Sequence, residues 1–240
     1  MELVRLAGIE PMTTVEWPGR LSAVLFLQGC PWRCRYCHNS ALVALNSQGA
    51  MTFGEALEML ARRRGFLDSV VFSGGEPTMQ PGLAAAADRV RELGYDVALH
   101  TNGYNPEALR GVLDPARFQM VAMDLKAPFG RYEQVTRAPG SGRAAAASVA
   151  VVIASGVPHE FRTTYHSALL GSQDLRAIGA DLHSAGADRY VLQAYRSEGC
   201  PDMGLCLEPS TPPDPVVVGG LRRLFRHFAM RGFGAESDPA

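Results

Sequence analysis

The chain has 240 residues, is 47% apolar and 20% charged, and carries 23 basic against 24 acidic side chains for a net charge of −1. That length is ample for a hydrophobic core. The charge balance argues against a nucleic-acid-binding protein, which is usually strongly basic, and the apolar content argues against disorder. No apolar run approaches the ~20 residues needed to span a bilayer. The opening MELVRLAGIEPMTT has neither the basic start nor the apolar centre of a signal peptide. The expectation is a cytoplasmic protein without membrane or nucleic-acid partners.

Short apolar runs alternate with helix-like stretches. Runs at 21–27, 69–72, 95–99 and 120–123 are rich in Val, Leu and Phe, and weaker ones surround 160–163 and 190–192. Such runs suit strands buried on both faces of a parallel sheet. Between them, Thr52 with Glu55 forms a capping box that opens a helix through Arg63, and residues 81–93 read as a second helix ended by Gly94. Residues 172–185 and 214–230 also predict helices. This order predicts an α/β fold, a parallel sheet with right-handed crossovers and outer helices. About six units fit, fewer than the eight of a closed barrel. We therefore expect a single domain over 1–240, a partial TIM-like (β/α)6 barrel with its core at about 15–200 and a C-terminal helical segment at about 214–231. Residues 134–148 read as a surface excursion, 199–215 as an irregular connection, and the Ala-rich stretches 84–87 and 144–147 as helix surface. His159, His183 and His227 fall in loop or helix contexts.

Four of the predicted strands end in a polar patch. Gln28, Gly29 and the cysteines follow the first; Ser73-Gly74-Gly75-Glu76-Pro77 the second; His100-Thr101-Asn102-Gly103 the third; Asp124-Leu125-Lys126 the fourth. In parallel α/β architectures the C-terminal strand ends are where sites assemble, so four segments converge on one mouth.

Five cysteines, an odd number in a chain expected in the cytoplasm, favour metal or redox chemistry over a disulfide scaffold. Cys30, Cys34 and Cys37 lie in GCPWRCRYCHN with C-x3-C-x2-C spacing. A structural zinc site wants four protein ligands, and an electron-carrying [4Fe–4S] cluster usually has four cysteines. Three ligands leave one iron open to an exogenous molecule, which is a catalytic arrangement. His38 as the fourth ligand of a zinc site is the alternative. Cys200 and Cys206 read as two thiols in an irregular segment near the mouth. Lys126 is the only lysine among the 23 basic residues, which sets it apart from a plain surface cation.

The C-x3-C-x2-C spacing with an aromatic residue before the third cysteine resembles the signature of the radical S-adenosylmethionine (SAM) enzymes, and Gly74-Gly75-Glu76-Pro77 resembles that superfamily's GGEP motif. WPGRLSAVLFLQGCPWRCRYCHN, VVFSGGEPTMQ, LHTNG, MDLKAP and FRTTYH, in this order, are similar to the activating enzymes of glycyl-radical proteins, and within them to the anaerobic ribonucleoside-triphosphate reductase activating proteins. The resemblance covers residues 15 to about 200. It implies a radical SAM-type barrel, a [4Fe–4S] cluster on Cys30, Cys34 and Cys37, and SAM bound at the open iron. Reductive cleavage would then yield a 5′-deoxyadenosyl radical that takes a hydrogen from a partner's glycine. The implied partners are an anaerobic ribonucleoside-triphosphate reductase and a flavodoxin- or ferredoxin-type electron donor. Alternatives are a pyruvate formate-lyase-like target, a small-molecule enzyme like carboxy-deazaguanine synthase, and a non-catalytic iron–sulfur or zinc module.

The same resemblance assigns cofactor contacts. Backbone at Gly74 and Gly75, with the surroundings of Glu76, would receive the methionine ammonium. Lys126 would neutralise its carboxylate, and Asp124 would accept from ribose hydroxyls or orient the lysine. Thr101 and Asn102 form a candidate wall, and Tyr36 and His38 would cover the adenine. His100 stands where some relatives carry an acid. Arg162, Gln193 and Arg196 are possible cofactor or partner contacts.

Overall fold

The computed structural model describes residues 3–234, so the expected domain limits of 1–240 extend beyond them at both ends. Each expected strand forms: β2 (Ser22–Leu27), β3 (Ser69–Gly74), β4 (Asp96–Thr101), β5 (Met120–Asp124), β6 (His159–Tyr165) and β7 (Arg189–Ala194). They lie side by side in chain order and pair in parallel. Helices α1 (Phe53–Ala61), α2 (Leu83–Glu92), α3 (Pro106–Val112), α4 (Tyr132–Thr136), α5 (Ser141–Ala154) and α6 (Ser172–Ala185) occupy the crossovers. The Thr52–Glu55 capping box is present in both directions, with Glu55 N–H donating to Thr52 Oγ1 at 3.1 Å and Thr52 N–H to Glu55 Oε2 at 2.7 Å.

Among the described residues the sheet has eight strands, two more than expected. β1 (Leu6–Thr13) pairs antiparallel with β2, and Pro11 is tolerated there because β1 is an edge. The helix expected over 214–230 stops early. It is α8 (Pro215–Leu224), and β8 (His227–Arg231) then pairs in parallel with β7. The apolar spacing through Leu221, Phe225 and Phe228 fits a helical stripe, but an open β7 edge offers unpaired backbone groups, and pairing satisfies them.

Smaller corrections follow the same logic. Residues 141–148 are no excursion but the start of α5, as their Ala-rich composition favours. Ala86, Ala87 and Ala145 are fully buried helix contacts rather than surface. The connection 199–215 contains a short helix, α7 (Met203–Leu207), and His159 and His227 open strands β6 and β8.

Phe72, Leu99, Val121, Phe161 and Leu192 are fully buried in the main core; truncating one to Ala costs ~2–5 kcal/mol. The opposite face holds a separate apolar layer of Val24, Val71, Ala98, Met120 and Ala122, against which Trp17 of the β1–β2 connection packs. Side chains in register share a face. The pairings His100↔Ala122, Ala122↔Glu160, Asp124↔Arg162, Thr164↔Gln193 and Gln193↔Arg231 therefore carry a polar band across this inner face.

Candidate active site

The cysteine loop leaves β2 and is fixed mainly through its backbone. Arg33 N–H and Arg35 N–H donate to Thr136 O (2.9 Å) and Val135 O (3.1 Å) at the end of α4, and Gly29 N–H donates to Leu42 O (2.7 Å). Trp32, 2% exposed, packs edge-on against Tyr132 with centroids 5.7 Å apart. Cys30 and Cys34 are buried and Cys37 partly so. Burial pushes the Cys30 thiol up to about 12 and the Cys34 thiol to about 11, while the Lys126 ammonium pulls Cys34 and Cys37 back down. Metal ligation has to displace those protons.

The glycine pair serves the protein's own backbone. Gly74 has φ +114°, and a Cβ there would overlap the backbone of Leu27; a Cβ on Gly75 would overlap the carbonyl of Gly29. The two glycines thus let the end of β3 press against the base of the cysteine loop, and Asn39 Nδ2 adds a 3.0 Å bond to Gly74 O. Glu76 is fully buried and engaged. It accepts from Thr78 N–H (3.1 Å), Thr101 Oγ1 (2.8 Å) and Asn102 N–H (2.7 Å). Burial raises its pKa against the pull of those donors. Glu76 ties the ends of β3 and β4 together, and Asn102 then directs its Nδ2 to Cys30 Sγ at 3.4 Å.

Lys126 has its Nζ 2.8 Å from Asp124 Oδ2 and 5.5 Å from the centroid of the buried Tyr36 ring. Burial lowers the ammonium's pKa, but Asp124, then Tyr36 and Cys34, outweigh it and hold the pKa well above the usual lysine value. The Tyr132 hydroxyl accepts from Lys126 N–H (3.1 Å) and donates to Asp124 O (3.2 Å), fixing the turn that carries both charges.

The remaining expected residues divide. Arg162 Nε donates to Glu160 Oε1 at 2.5 Å, and its other nitrogens reach His100 (3.2 and 3.4 Å) and Glu16 O (3.2 Å). Arg231 completes the group, donating to both oxygens of Glu160 at 3.0 and 3.2 Å. Gln193 lies in register with Arg231 on that face, while Arg196 is exposed beyond the end of β7. His38 pairs its Nδ1 with Glu198 O at 3.2 Å. Cys30, Cys34, Cys37, Gly74, Gly75, Glu76, Thr101, Asn102, Asp124 and Lys126 are thus gathered at the ends of four adjacent strands.

The donor set fits an iron–sulfur cluster better than zinc. The loop supplies three thiols, one fewer than the four protein ligands of a structural zinc site, whereas three suffice for a cluster with one open iron. Over residues 24–178 the sequence matches the radical SAM superfamily. The chain belongs to that superfamily. A radical SAM enzyme of this kind is an oxidoreductase whose cofactors are a [4Fe–4S] cluster and SAM. It is 29% identical over 202 residues, 82% of each chain, to a Methanocaldococcus jannaschii protein provisionally named as a glycyl-radical enzyme activating enzyme. It is 34% identical over 131 residues, 52% of this chain and 54% of the relative, to the pyruvate formate-lyase-activating enzyme of Clostridium pasteurianum. Streptococcus suis SuiB bound to SAM superposes with a TM-score of 0.63 at 14% identity, over 85% of this chain and 48% of that one. The chain therefore spans about half of that larger protein, and the likeness concerns the fold.

Sequence reasoning about this radical SAM enzyme missed four contributors. Glu160 and Arg231 lie in segments read as a weak strand and a helix. Glu16 sits in the β1–β2 connection, and Tyr132 acts from six residues beyond Lys126. Of these, only Glu160, a charged residue within an inner strand, leaves a local signal.

Proposed function

We propose that this radical SAM enzyme is an activase that generates a glycyl radical on an anaerobic ribonucleoside-triphosphate reductase, in the cytoplasm and as one domain. The observation that carries this reading is the match along 82% of both chains to a relative bearing the activating-enzyme name. The match to a pyruvate formate-lyase-activating enzyme favours a second reading, the same chemistry on a pyruvate formate-lyase-like target.

Cys30, Cys34 and Cys37 hold the cluster in this reading. When bound, the cluster and SAM supply a 5′-deoxyadenosyl radical, with electrons from a flavodoxin- or ferredoxin-type donor. Lys126, already charged and oriented by Asp124, neutralises the methionine carboxylate with a charge-assisted bond. Backbone carbonyl groups around Gly74 and Gly75 accept from the ammonium, with Thr101 and Asn102 beside them. Tyr36 and His38 flank the adenine side, and Gln193 and Arg196 face the ribose or the partner. Glu76 and Arg162 are positioning residues here, because their polar atoms are taken up by the protein. A glycine suits the open mouth, since it has no side chain to obstruct approach and its Cα radical is delocalised over two amides.

The test is anaerobic incubation of cluster-loaded protein with SAM, a strong reductant and each candidate partner. Paramagnetic resonance should give a glycyl doublet on the reductase, and deuterium from labelled glycine should enter 5′-deoxyadenosine. A doublet on a formate-lyase-type protein alone selects the second reading. SAM cleavage with no glycyl doublet on any partner overturns both.

A further inference from the structure

Outside this site, the segment after β7 carries a thiol in contact with a phenol, and a second thiol six residues before it. Tyr195 Oη lies 3.5 Å from Cys206 Sγ. Cys206 Sγ lies 3.8 Å from Cys200 O, so the chain doubles back on itself between the two cysteines. Both thiols are partly exposed, and Met203 and Leu207 beside Cys206 are 65% and 80% exposed, which leaves an approach from solvent.

The same segment grips the cysteine loop. Cys200 Sγ donates to Arg35 O at 3.3 Å, between two of the cluster cysteines. Asp202, inside the Cys200–Cys206 span, pairs with Arg35 Nε at 2.8 Å. Ser40 Oγ donates to Gly199 O at 2.6 Å, and a Cβ on Gly199 would overlap the carbonyl of His38.

We propose that Cys200 and Cys206 are a dithiol site, oxidised to an intramolecular disulfide by low-molecular-weight disulfides, and that this oxidation loosens the hold on the cluster loop. The Cys206 thiolate attacks one sulfur of an external disulfide RSSR and expels RS⁻, leaving a mixed disulfide. Cys200 sulfur then attacks Cys206 sulfur and expels the second RS⁻. Two electrons pass from the protein thiols to RSSR, which leaves as two RSH after taking up the two thiol protons. Tyr195 Oη–H can donate to the Cys206 sulfur while it carries charge. The bond removes the Cys200 S–H that Arg35 O accepts, and it constrains the backbone on either side of Asp202.

This inference does not depend on the identity of the radical's target. The cluster-loaded enzyme is treated anaerobically with glutathione disulfide, quenched in acid, alkylated and digested with trypsin. One peptide, 197–222, contains both thiols, whereas the cluster cysteines fall in other peptides. That peptide should appear unalkylated and two hydrogens lighter, reverting on dithiothreitol. Transfer of iron to a chelator should then accelerate roughly twofold to tenfold, the worth of one lost hydrogen bond. Cys206→Ser should remove both changes while retaining the cluster absorbance. Tyr195→Phe should slow disulfide formation without preventing it. A persistent glutathione adduct on one cysteine, a bond to Cys37, or no loss of thiols overturns the assignment. An internal disulfide with unaltered iron transfer overturns its coupling to the cluster loop.

Discussion

Two charge clusters share the inner face of this sheet and are built for opposite ends. At the mouth, Lys126 is buried against Asp124, yet the Asp124 side chain is 40% exposed and accepts only from that ammonium among the described contacts. Deeper down, Glu160 is 2% exposed and held by Arg162 and Arg231 together, with both carboxylate oxygens occupied. In the proposed function, the first cluster offers a cation and a carboxylate to an incoming zwitterion. The second has both carboxylate oxygens engaged by guanidinium groups, and its net effect is to bind β6 to β8. Buried charge alone therefore does not mark a ligand site; what marks it is charge the protein leaves unspent.

That contrast can be broken from the deep side first. Glu160→Gln strands two guanidinium groups on the inner face and should destabilise the protein by ~3–5 kcal/mol, measured by denaturant unfolding. A loss below ~1 kcal/mol would show that water reaches this cluster and would remove the distinction. Gly75→Ala comes next. Its methyl meets the Gly29 carbonyl, so the cysteine loop and the β3 end must part at a cost of ~1–3 kcal/mol. Cluster content per chain, read from iron and absorbance, should fall with it.

At the mouth the effect should fall on binding instead. Lys126→Arg replaces a compact ammonium by a planar fork, and SAM affinity should drop roughly tenfold, about 1.4 kcal/mol, with unfolding stability and cluster absorbance retained. Equal affinity in that variant would make Lys126 a structural partner of Asp124 and no more. The smallest effect is in the pH profile. Burial alone would raise the Glu160 pKa, but Arg162 and Arg231 more than reverse it, leaving it below its ordinary 4.5. A depressed folded-state pKa gives stability that is complete above the unfolded value and is lost as pH falls through the folded one. Glu160→Gln should therefore lose stability less steeply than wild type below about pH 4.5.

Much of the mouth was legible because its information is local. The cysteine spacing, the Gly-Gly-Glu turn and the Asp-Leu-Lys turn each sit within a few residues of a strand end, and the capping box at Thr52 announces its helix outright. Helix α6 occupies the predicted residues 172–185. What failed is nonlocal. Arg231 lies 71 residues from Glu160, and Glu16 lies 146 residues from Arg162. The C-terminal segment carried a helical apolar stripe, and only the vacant edge of β7 converts its second half to strand.

By itself, the sequence determined which chemical groups exist and at which strand ends they stand: three thiols, one lysine beside an aspartate, a glycine pair and an acid. The tertiary structure decided how each is used. Gly74 and Gly75 make room for Leu27 and Gly29, Glu76 and Arg162 are consumed within the protein, and Lys126 keeps its charge at the mouth. The reason is that a buried polar group must be satisfied by whatever lies nearest in space. In a parallel sheet that neighbour comes from another strand, tens of residues away along the chain.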